Sequence, residues 1–270
     1  MSLLETNMVP PGLVTSTIPS VVILAAGRGS RIGALTDSVP KCLAAVGGRS
    51  LIEHQLDAMA GAGIDDVTVV TGYRARDVRW VVGRRARFVH NPDWSRTNSL
   101  YSLWLAGDRI RDDVIVLNCD VLFHPAALTR LIEAGTNRFL IDRPGGLGDE
   151  EMHVTLHGSR LVSMGKQIPL DLVDGKSVGM VRISHDTLAA VLAAAADLVA
   201  EGDLNAWMAS AIDRVAAGYD LHAVDISDLP WVEIDFPADL DRAINQVWPA
   251  ITGFTGPVKV VAAPIRELAA

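Results

Sequence analysis

The chain holds only two cysteines in 270 residues, Cys42 and Cys119, too few for a disulfide framework or a thiolate zinc site. A reducing, cytoplasmic setting is expected. Positive charge is also in deficit: 24 Lys and Arg face 32 Asp and Glu, a formal net charge of −8. With a pI near 5.3, that balance argues against nucleic acid or an anionic membrane as partner, while leaving room for a local basic pocket. Long apolar runs are missing as well. The longest, residues 188–200, is rich in alanine and broken by Asp197, which excludes a membrane span there. Residues 1–20 lack a basic segment and carry Pro10-Pro11-Gly12, so they read as a flexible tail and not as a signal peptide. None of the seven histidines forms a metal pair at helical spacing, and no Ser/His/Asp or Cys/His set for nucleophilic catalysis stands out.

What the chain does have is an apolar content of 49%, enough for one large α/β domain. Apolar runs of strand length alternate with segments of helical period, the pattern of parallel strands joined by crossover helices. Strands are expected at 21–26, 67–71, 87–90, 114–118, 139–142, 178–184, 221–225 and 231–235. Helical faces are marked by Leu51, Ile52, Leu56 and Met59, by Leu100, Leu103 and Trp104, and by Leu128, Leu131 and Ile132. A short helix is expected at 77–82, two longer ones at 186–201 and 204–217, and a closing one through Leu240, Ala243, Ile244 and Val247. Residues 154–156 and 161–164 read as an antiparallel hairpin. The expected fold is a doubly wound, largely parallel mixed sheet over 21–248 with a small β-rich insertion, and a loosely held C-terminal tail over 249–270.

The most informative segment follows the first strand. Gly27-Arg28-Gly29-Ser30-Arg31 is a loop of small and basic residues, and Pro40-Lys41 comes soon after. Small residues let the backbone approach an anion, and loop N–H groups with Arg31 and Lys41 supply the opposing charge. It is not a dinucleotide fingerprint: the third glycine is replaced by Ile32, and an acidic residue closing the second strand is missing. Nor does the loop close on the Gly-Lys-Ser/Thr of a Walker A site. Asp120 and Asp235, each at the end of a predicted buried strand, fall at the ligand-binding edge of such a sheet, where two carboxylates with phosphate oxygens suit Mg²⁺. Each has a plain structural alternative, Asp120 as a turn residue and Asp235 as a helix cap. Glu233 is a weaker candidate for a role at the metal.

The string Leu24-Ala25-Ala26-Gly27-Arg28-Gly29-Ser30-Arg31, followed by Pro40-Lys41, resembles the nucleotidylyltransferases that activate sugar phosphates and phosphocholine. Val70-Thr71-Gly72-Tyr73, Asn91-Pro92, Asn98 with Ser102-Leu103, Asn118-Cys119-Asp120 and Glu233-Ile234-Asp235 follow in family order, so the resemblance spans about 21–247. It implies a Rossmann-like nucleotidyltransferase fold and Mg²⁺-dependent reaction of a nucleoside triphosphate with a phosphorylated or phosphonate small molecule, releasing pyrophosphate. By the same resemblance, Arg31 contacts the β,γ-phosphates, Lys41 the triphosphate or incoming phosphate, and Lys166 the acceptor phosphate. Leu24, Ala25, Ala26, Gly27, Gly29 and Ser30, with Gly72, Asn98 and Ser102, hold the nucleotide, and Asp120 and Asp235 the metal. Asn98 equally suits a helix cap.

The arrangement from Asn98 to Leu103 and Glu233-Ile234-Asp235-Phe236 resembles most the phosphocholine and phosphonate cytidylyltransferase branch, which favours CTP as donor. A choline head group wants an aromatic cage, yet residues 142–152 contain no aromatic and carry Arg143, Asp149, Glu150 and Glu151. Acidic residues suit a primary amine or the hydroxyls of a sugar or cyclitol. Trp94 and Trp231 adjoin the motifs and are candidates to line the acceptor pocket. The alternatives are a sugar-1-phosphate or cyclitol-phosphate nucleotidylyltransferase using another triphosphate, and a non-catalytic nucleotide-binding homologue. Oligomeric state is left open, a homo-oligomer included.

Overall fold

The computed structural model describes residues 18–33, 39–143, 148 and 150–253. The expected tails therefore lie outside the described residues except for 18–20 and 249–253, as does Asp149.

In chain order the strands are β1 (Ser20–Ala25), β2 (Ala45–Val46), β3 (Arg49–Ser50), β4 (Val67–Thr71), β5 (Arg87–His90), β6 (Val114–Asn118), β7 (Val121–Phe123), β8 (Arg138–Asp142), β9 (His153–His157), β10 (Arg160–Gly165), β11 (Gly175–Ile183), β12 (His222–Asp225) and β13 (Trp231–Glu233). The helices are α1 (Leu51–Gly61), α2 (Ala75–Val82), α3 (Ser99–Ala106), α4 (Pro125–Glu133), α5 (His185–Ala200), α6 (Met208–Val215), α7 (Pro237–Arg242) and α8 (Trp248–Gly253), with a π-turn over Ala243–Val247 joining the last two.

Nine strands form one sheet in the order β5-β4-β1-β6-β11-β8-β12-β10-β9. From β5 to β6 the pairing is parallel, with Val21 facing Val67 on one side and Ile115 on the other. Strand β11 then enters antiparallel between β6 and β8. The hairpin β9–β10 is not a separate insertion: β10 pairs with β12, and β9 returns to the start of β11, so the second half of the sheet curls into a ring of pairings.

β1 is apolar at nearly every position because it is covered on both faces. Val21, Ile23 and Ala25 meet α1, α2 and α4 in one core, and Val22 and Leu24 meet α3, α5 and α6 in another. Burying each such aliphatic side chain contributes roughly 1.5–3 kcal/mol. Among these, α1 starts on Ser50, whose hydroxyl and N–H both bond to Glu53.

Three readings need correction, and three short strands lie outside them. Trp104 does not share the buried face of Leu100 and Leu103 but is exposed, its ring tilted against Tyr101 at 5.4 Å. The strand expected at 231–235 ends at Glu233 and pairs antiparallel with β7 in a ribbon outside the main sheet. Strand β7 and the small β2–β3 ribbon, three residues or fewer per strand, are too short to stand out as hydrophobic runs. The closing helix continues past Pro249 to Gly253, because proline is tolerated in the first turn of the new α-helical segment that begins at Trp248. No helix among the described residues is long and apolar enough to cross a membrane.

Candidate active site

At the C-terminal ends of β1 and β6 the chain opens a cleft, where parallel α/β sheets gather their ligands. Its rim at β1 is the glycine loop. A Cβ on Gly27 would meet nothing within 4 Å, so the space beside it is open to a ligand. Gly29 is required twice over. Its φ of +73° is left-handed, and an added Cβ would lie 2.6 Å from Cβ of Lys41. The loop and Lys41 therefore pack against each other, with Pro40 fixing the entry to the single turn that carries the lysine.

Lys41 is the centre of the site. Its Nζ lies 2.7 Å from Oδ2 of Asp120 and 2.6 Å from Oδ1 of Asp235. Burial disfavours its charge, but the two carboxylates outweigh that and hold its pKa well above the usual lysine value. Asp235 also accepts from Arg31 at 2.8 Å, and Arg31 reaches Glu150 Oε2 at 2.8 Å with its other terminal nitrogen. The same Glu150 oxygen accepts from Lys166 Nζ at 3.1 Å. Arg31, Lys41, Lys166, Asp120 and Asp235 thus form one connected network, with Glu150 as its bridge.

The two aspartates are held differently. Asp120 sits in the turn between β6 and β7, which is fastened from two sides. Ile234 donates its N–H to the Asp120 carbonyl at 3.0 Å. The buried Gln55 of α1 donates from Nε2 to the carbonyls of Asn118 and Val121 at 3.0 and 2.9 Å. Asp235 is not the cap of the following helix. That role falls to Asp239, whose Oδ2 accepts from the N–H groups of Asp235 and Phe236, leaving the Asp235 side chain for Lys41 and Arg31. Although burial alone would raise it, Lys41, by its charge and its hydrogen bond, and then Arg31 hold the Asp235 pKa below the ordinary carboxyl value. Glu233 goes the other way, pushed up to about 8 by burial first and then by the Asp120 and Asp235 charges.

One atom bears directly on a cation. Oδ1 of Asp120 is buried and has no hydrogen-bond partner among the described residues. A buried carboxylate oxygen left without a donor is costly unless a cation completes it. No ready-made cluster of three or more His, Cys, Asp or Glu ligands exists among the described residues. A Mg²⁺ ion, which takes one or two carboxylates and borrows phosphate oxygens and water, fits that donor set.

The remaining candidates divide. Leu24, Ala26, Asn98 and Ser102 line the cleft with Gly27 and Gly29, whereas Ala25, Ser30 and Gly72 do not. Ala25 points into the core between α1 and the sheet. Gly72 serves packing instead: a Cβ there would lie 2.5 Å from Cβ of Trp94 and 2.6 Å from the Ala26 carbonyl. Asn98 caps α3, its Oδ1 accepting from Ser99 N–H at 2.8 Å, and still borders the cleft. Ser102 is buried and accepts from Asn91 Nδ2 at 3.1 Å. Trp94 lines the cleft, but Trp231 is buried elsewhere, donating from Nε1 to Asp142 at 3.0 Å. The Gly-Lys-Ser string at 175–177 is part of β11 and not of a phosphate loop.

Sequence reasoning missed Trp207, whose ring centre lies 5.0 Å from Lys166 Nζ. It also missed the bridging role of Glu150 and the clamp made by Gln55. None carries a local signal, since Trp207 follows a loop and Gln55 reads as one more polar helix position.

Fold and site together define an α/β protein in which a glycine loop, three basic side chains and paired carboxylates gather at one sheet edge. The chain belongs to the MobA-like NTP transferase domain family, whose model matches residues 21–167. It is 30% identical over 246 residues to CMP-5'-(3-aminopropyl)phosphonate synthase of Streptomyces rubellomurinus, covering 82% of this chain and 38% of that protein. It is likewise 30% identical over 251 residues to the bifunctional IPC transferase and DIPP synthase of Rubrobacter xylanophilus, covering 87% of this chain and 54% of that one. The chain thus spans about half the length, or less, of these curated relatives. Its fold matches the CTP:phosphocholine cytidylyltransferase of Streptococcus pneumoniae with a TM-score of 0.71 at 20% identity, over 83% of this chain and 96% of that one.

Proposed function

We propose that this protein is a Mg²⁺-dependent cytidylyltransferase that moves CMP from CTP to a small phosphonate or phosphate ester and releases pyrophosphate. The observation that carries the reading is Lys41, buried beside the glycine loop and bonded to both Asp120 and Asp235. CTP as donor and a phosphonate or phosphate acceptor are supported by the relatives, among them a CMP-5'-(3-aminopropyl)phosphonate synthase and choline-phosphate cytidylyltransferases.

In the reaction an acceptor P–O⁻ oxygen forms the new bond to the α-phosphorus of CTP. The bond from that phosphorus to the bridging oxygen breaks, and its electron pair leaves with pyrophosphate. A phosphate-monoester acceptor, with a second pKa of about 6, is already ionised at neutral pH, so no general base is needed. Catalysis is then positioning and charge neutralisation. Lys41, kept protonated, faces the phosphorus on which negative charge spreads. Arg31 at the loop takes the outgoing pyrophosphate oxygens, and Lys166, which shares Glu150 with it, holds the acceptor. Asp120, through its free Oδ1, and Asp235 would hold Mg²⁺, which supplies further neutralisation of the triphosphate. In the ligand-free protein Glu150 and Asp235 satisfy Arg31, and Glu150 satisfies Lys166, so substrate anions enter by replacing carboxylates that hold these cations in place.

Pyrophosphate release with CTP, UTP, GTP, ATP and dTTP, each against aminoethylphosphonate, phosphocholine, inositol 1-phosphate and glucose 1-phosphate, tests the reading. Turnover confined to CTP with Mg²⁺ present supports it. Turnover with another base refutes the donor, and nucleotide binding without turnover on any acceptor favours a non-catalytic role.

A further inference from the structure

Arg31, Lys41, Asp120 and Asp235 come to the cleft from four separate parts of the chain, and a third apolar core, distinct from the two that cover β1, gathers their neighbours. Ile32 follows Arg31, Ala44 lies three residues after Lys41, Leu122 two after Asp120, and Ile234 directly before Asp235. All four of these apolar residues are buried. Attraction between side chains holds the Lys41 ammonium against its carboxylates, but the spacing of the backbones that carry them is set by how this core packs.

Leu240, Ala243, Val247, Trp248 and Ile251, from the last described helical segment, pack onto this core. In the π-turn through Ala243–Val247 the N–H of Trp248 bonds to the carbonyl of Ala243, five residues back. That extra residue carries Trp248 onto the face held by Ala243. Its ring centre lies 4.5 Å from that of His54, which donates from Nε2 to the Val46 carbonyl at 2.8 Å. The indole therefore covers the β2–β3 ribbon, which runs on directly from the turn that carries Lys41. Gly47 and Gly48 make the two-residue turn of that ribbon, both left-handed, at φ +60° and +82°. They differ in one respect: a Cβ on Gly47 would collide with the Trp248 indole, whereas a Cβ on Gly48 would meet nothing within 4 Å. Trp248 itself does not line the cleft.

We infer that Trp248 is a positioning residue for the nucleotidyl transfer. By closing the third core against the β2–β3 ribbon, it sets the backbone of Lys41 relative to those of Asp120 and Asp235 without touching substrate. The π-turn has a part in this, since a regular α-helical turn would swing the indole off the ribbon. The inference rests on the cytidylyltransferase reading. Misplacing a reacting group by about 1 Å costs about 100-fold in rate, so loss of the indole acts on kcat before it acts on nucleotide binding.

The test compares Gly47→Ala with Gly48→Ala, and Trp248→Ala with Trp248→Phe, by pyrophosphate release with CTP, Mg²⁺ and the best acceptor of the panel above. Val82→Ala, buried under α2 in the core that also holds Val69 and Val78, controls for general loss of stability. Rates are taken at a temperature where calorimetry shows every variant folded. Gly47→Ala and Trp248→Ala should each lower kcat about 10–100-fold, with the KM for CTP little changed and the half-saturating Mg²⁺ concentration raised. Gly48→Ala, Trp248→Phe and Val82→Ala should keep the kcat of the unaltered protein. The double variant Gly47→Ala/Trp248→Ala should be no slower than the slower single one, because both changes remove the same contact. The glycine pair decides the matter even if Trp248→Ala does not fold. Equal kcat in Gly47→Ala and Gly48→Ala, or a folded Trp248→Ala that loses Tm as Val82→Ala does and keeps its kcat, would overturn the inference. An unaltered protein with no turnover on any acceptor would instead remove the cytidylyltransferase reading, and the inference with it.

Discussion

Replacing Lys41 with methionine keeps an unbranched apolar stem and removes the ammonium group, which isolates what that charged group does. In the metal-free protein, Asp120 then loses its lysine partner, and Asp235 keeps Arg31 but loses the shorter of its two ion pairs. Breaking one partner of a buried ion pair costs about 3–5 kcal/mol. The side chains of Asp120 and Asp235 retain 18% and 16% of their exposure, so solvent relieves part of this and a loss of about 3 kcal/mol is the working figure. For a domain of this size that corresponds to a fall in Tm of roughly 6–12 °C. The loss should be largest near neutral pH and shrink as pH falls. Lys41 holds the Asp235 pKa down, so its stabilising contribution is complete above the ordinary carboxyl range and disappears as pH drops through the depressed value. Mg²⁺ should restore part of the lost Tm in the variant, since it would supply positive charge to the same two carboxylates. Calorimetric scans in chelator and in excess Mg²⁺, at neutral and acidic pH, measure all three effects. In turnover, loss of a preorganised charge at the reacting phosphorus lowers kcat by about 10²–10³, with a smaller effect on the KM for CTP. An unchanged Tm in chelator, or a variant whose kcat is normal and whose KM alone rises, would refute the central place given to this residue.

Asp120→Asn should abolish Mg²⁺-dependent turnover while leaving the circular dichroism spectrum intact, and near-normal rates would remove Asp120 from the metal site. Glu233 carries a proton at neutral pH in the ligand-free protein because its pKa is raised to about 8. The folded state therefore binds the extra proton, and metal-free stability should decline as pH rises from the ordinary carboxyl range through about 8. Glu233→Gln should flatten that decline in denaturation titrations. Gly29→Ala forces a Cβ to 2.6 Å from Lys41 at a left-handed φ, and should lower kcat at least tenfold while costing about 1–2 kcal/mol. Gln55→Met removes the buried side-chain donor to the carbonyls of Asn118 and Val121, for a loss of about 1–3 kcal/mol. It should also raise the Mg²⁺ concentration needed for half-maximal activity, because Asp120 lies between them, and an unchanged Mg²⁺ dependence would make Gln55 a purely structural residue.

Much of this arrangement is legible in the sequence because it is local. The β1 strand, the glycine loop and Pro40-Lys41 lie within one short stretch, and the need for glycine beside a buried lysine follows from backbone sterics. Asp120 and Asp235 are legible for a different reason: each follows an apolar run, and strand ends at one edge of a parallel sheet converge. Convergence in the main sheet brings only Asp120 to the edge: β13 belongs to a ribbon with β7, and Asp235 reaches the site because that ribbon pairs next to the turn that carries Asp120. The place of Trp104 is not legible, because a three-residue spacing on an eight-residue helix does not define which flank of the stripe turns inward.

What stayed hidden depends on distance along the chain. Lys41 meets Asp235 across 194 positions and Arg31 meets Glu150 across 119, and no periodicity encodes such pairs. Glu150 is the instructive case. Its acidic neighbourhood suggested a receptor for an amine or for hydroxyls, yet in the folded chain it neutralises two cations that phosphate groups are expected to need. A carboxylate in that position does in the empty cleft what substrate oxygens do in the filled one: it keeps Arg31 and Lys166 oriented without leaving unpaired charge. Its ordering cost is met during folding, so anion binding exchanges one set of charge-assisted hydrogen bonds for another. That exchange favours a ligand with more than one negative charge over a single carboxylate, and so ties affinity at this site to the ionisation of the acceptor.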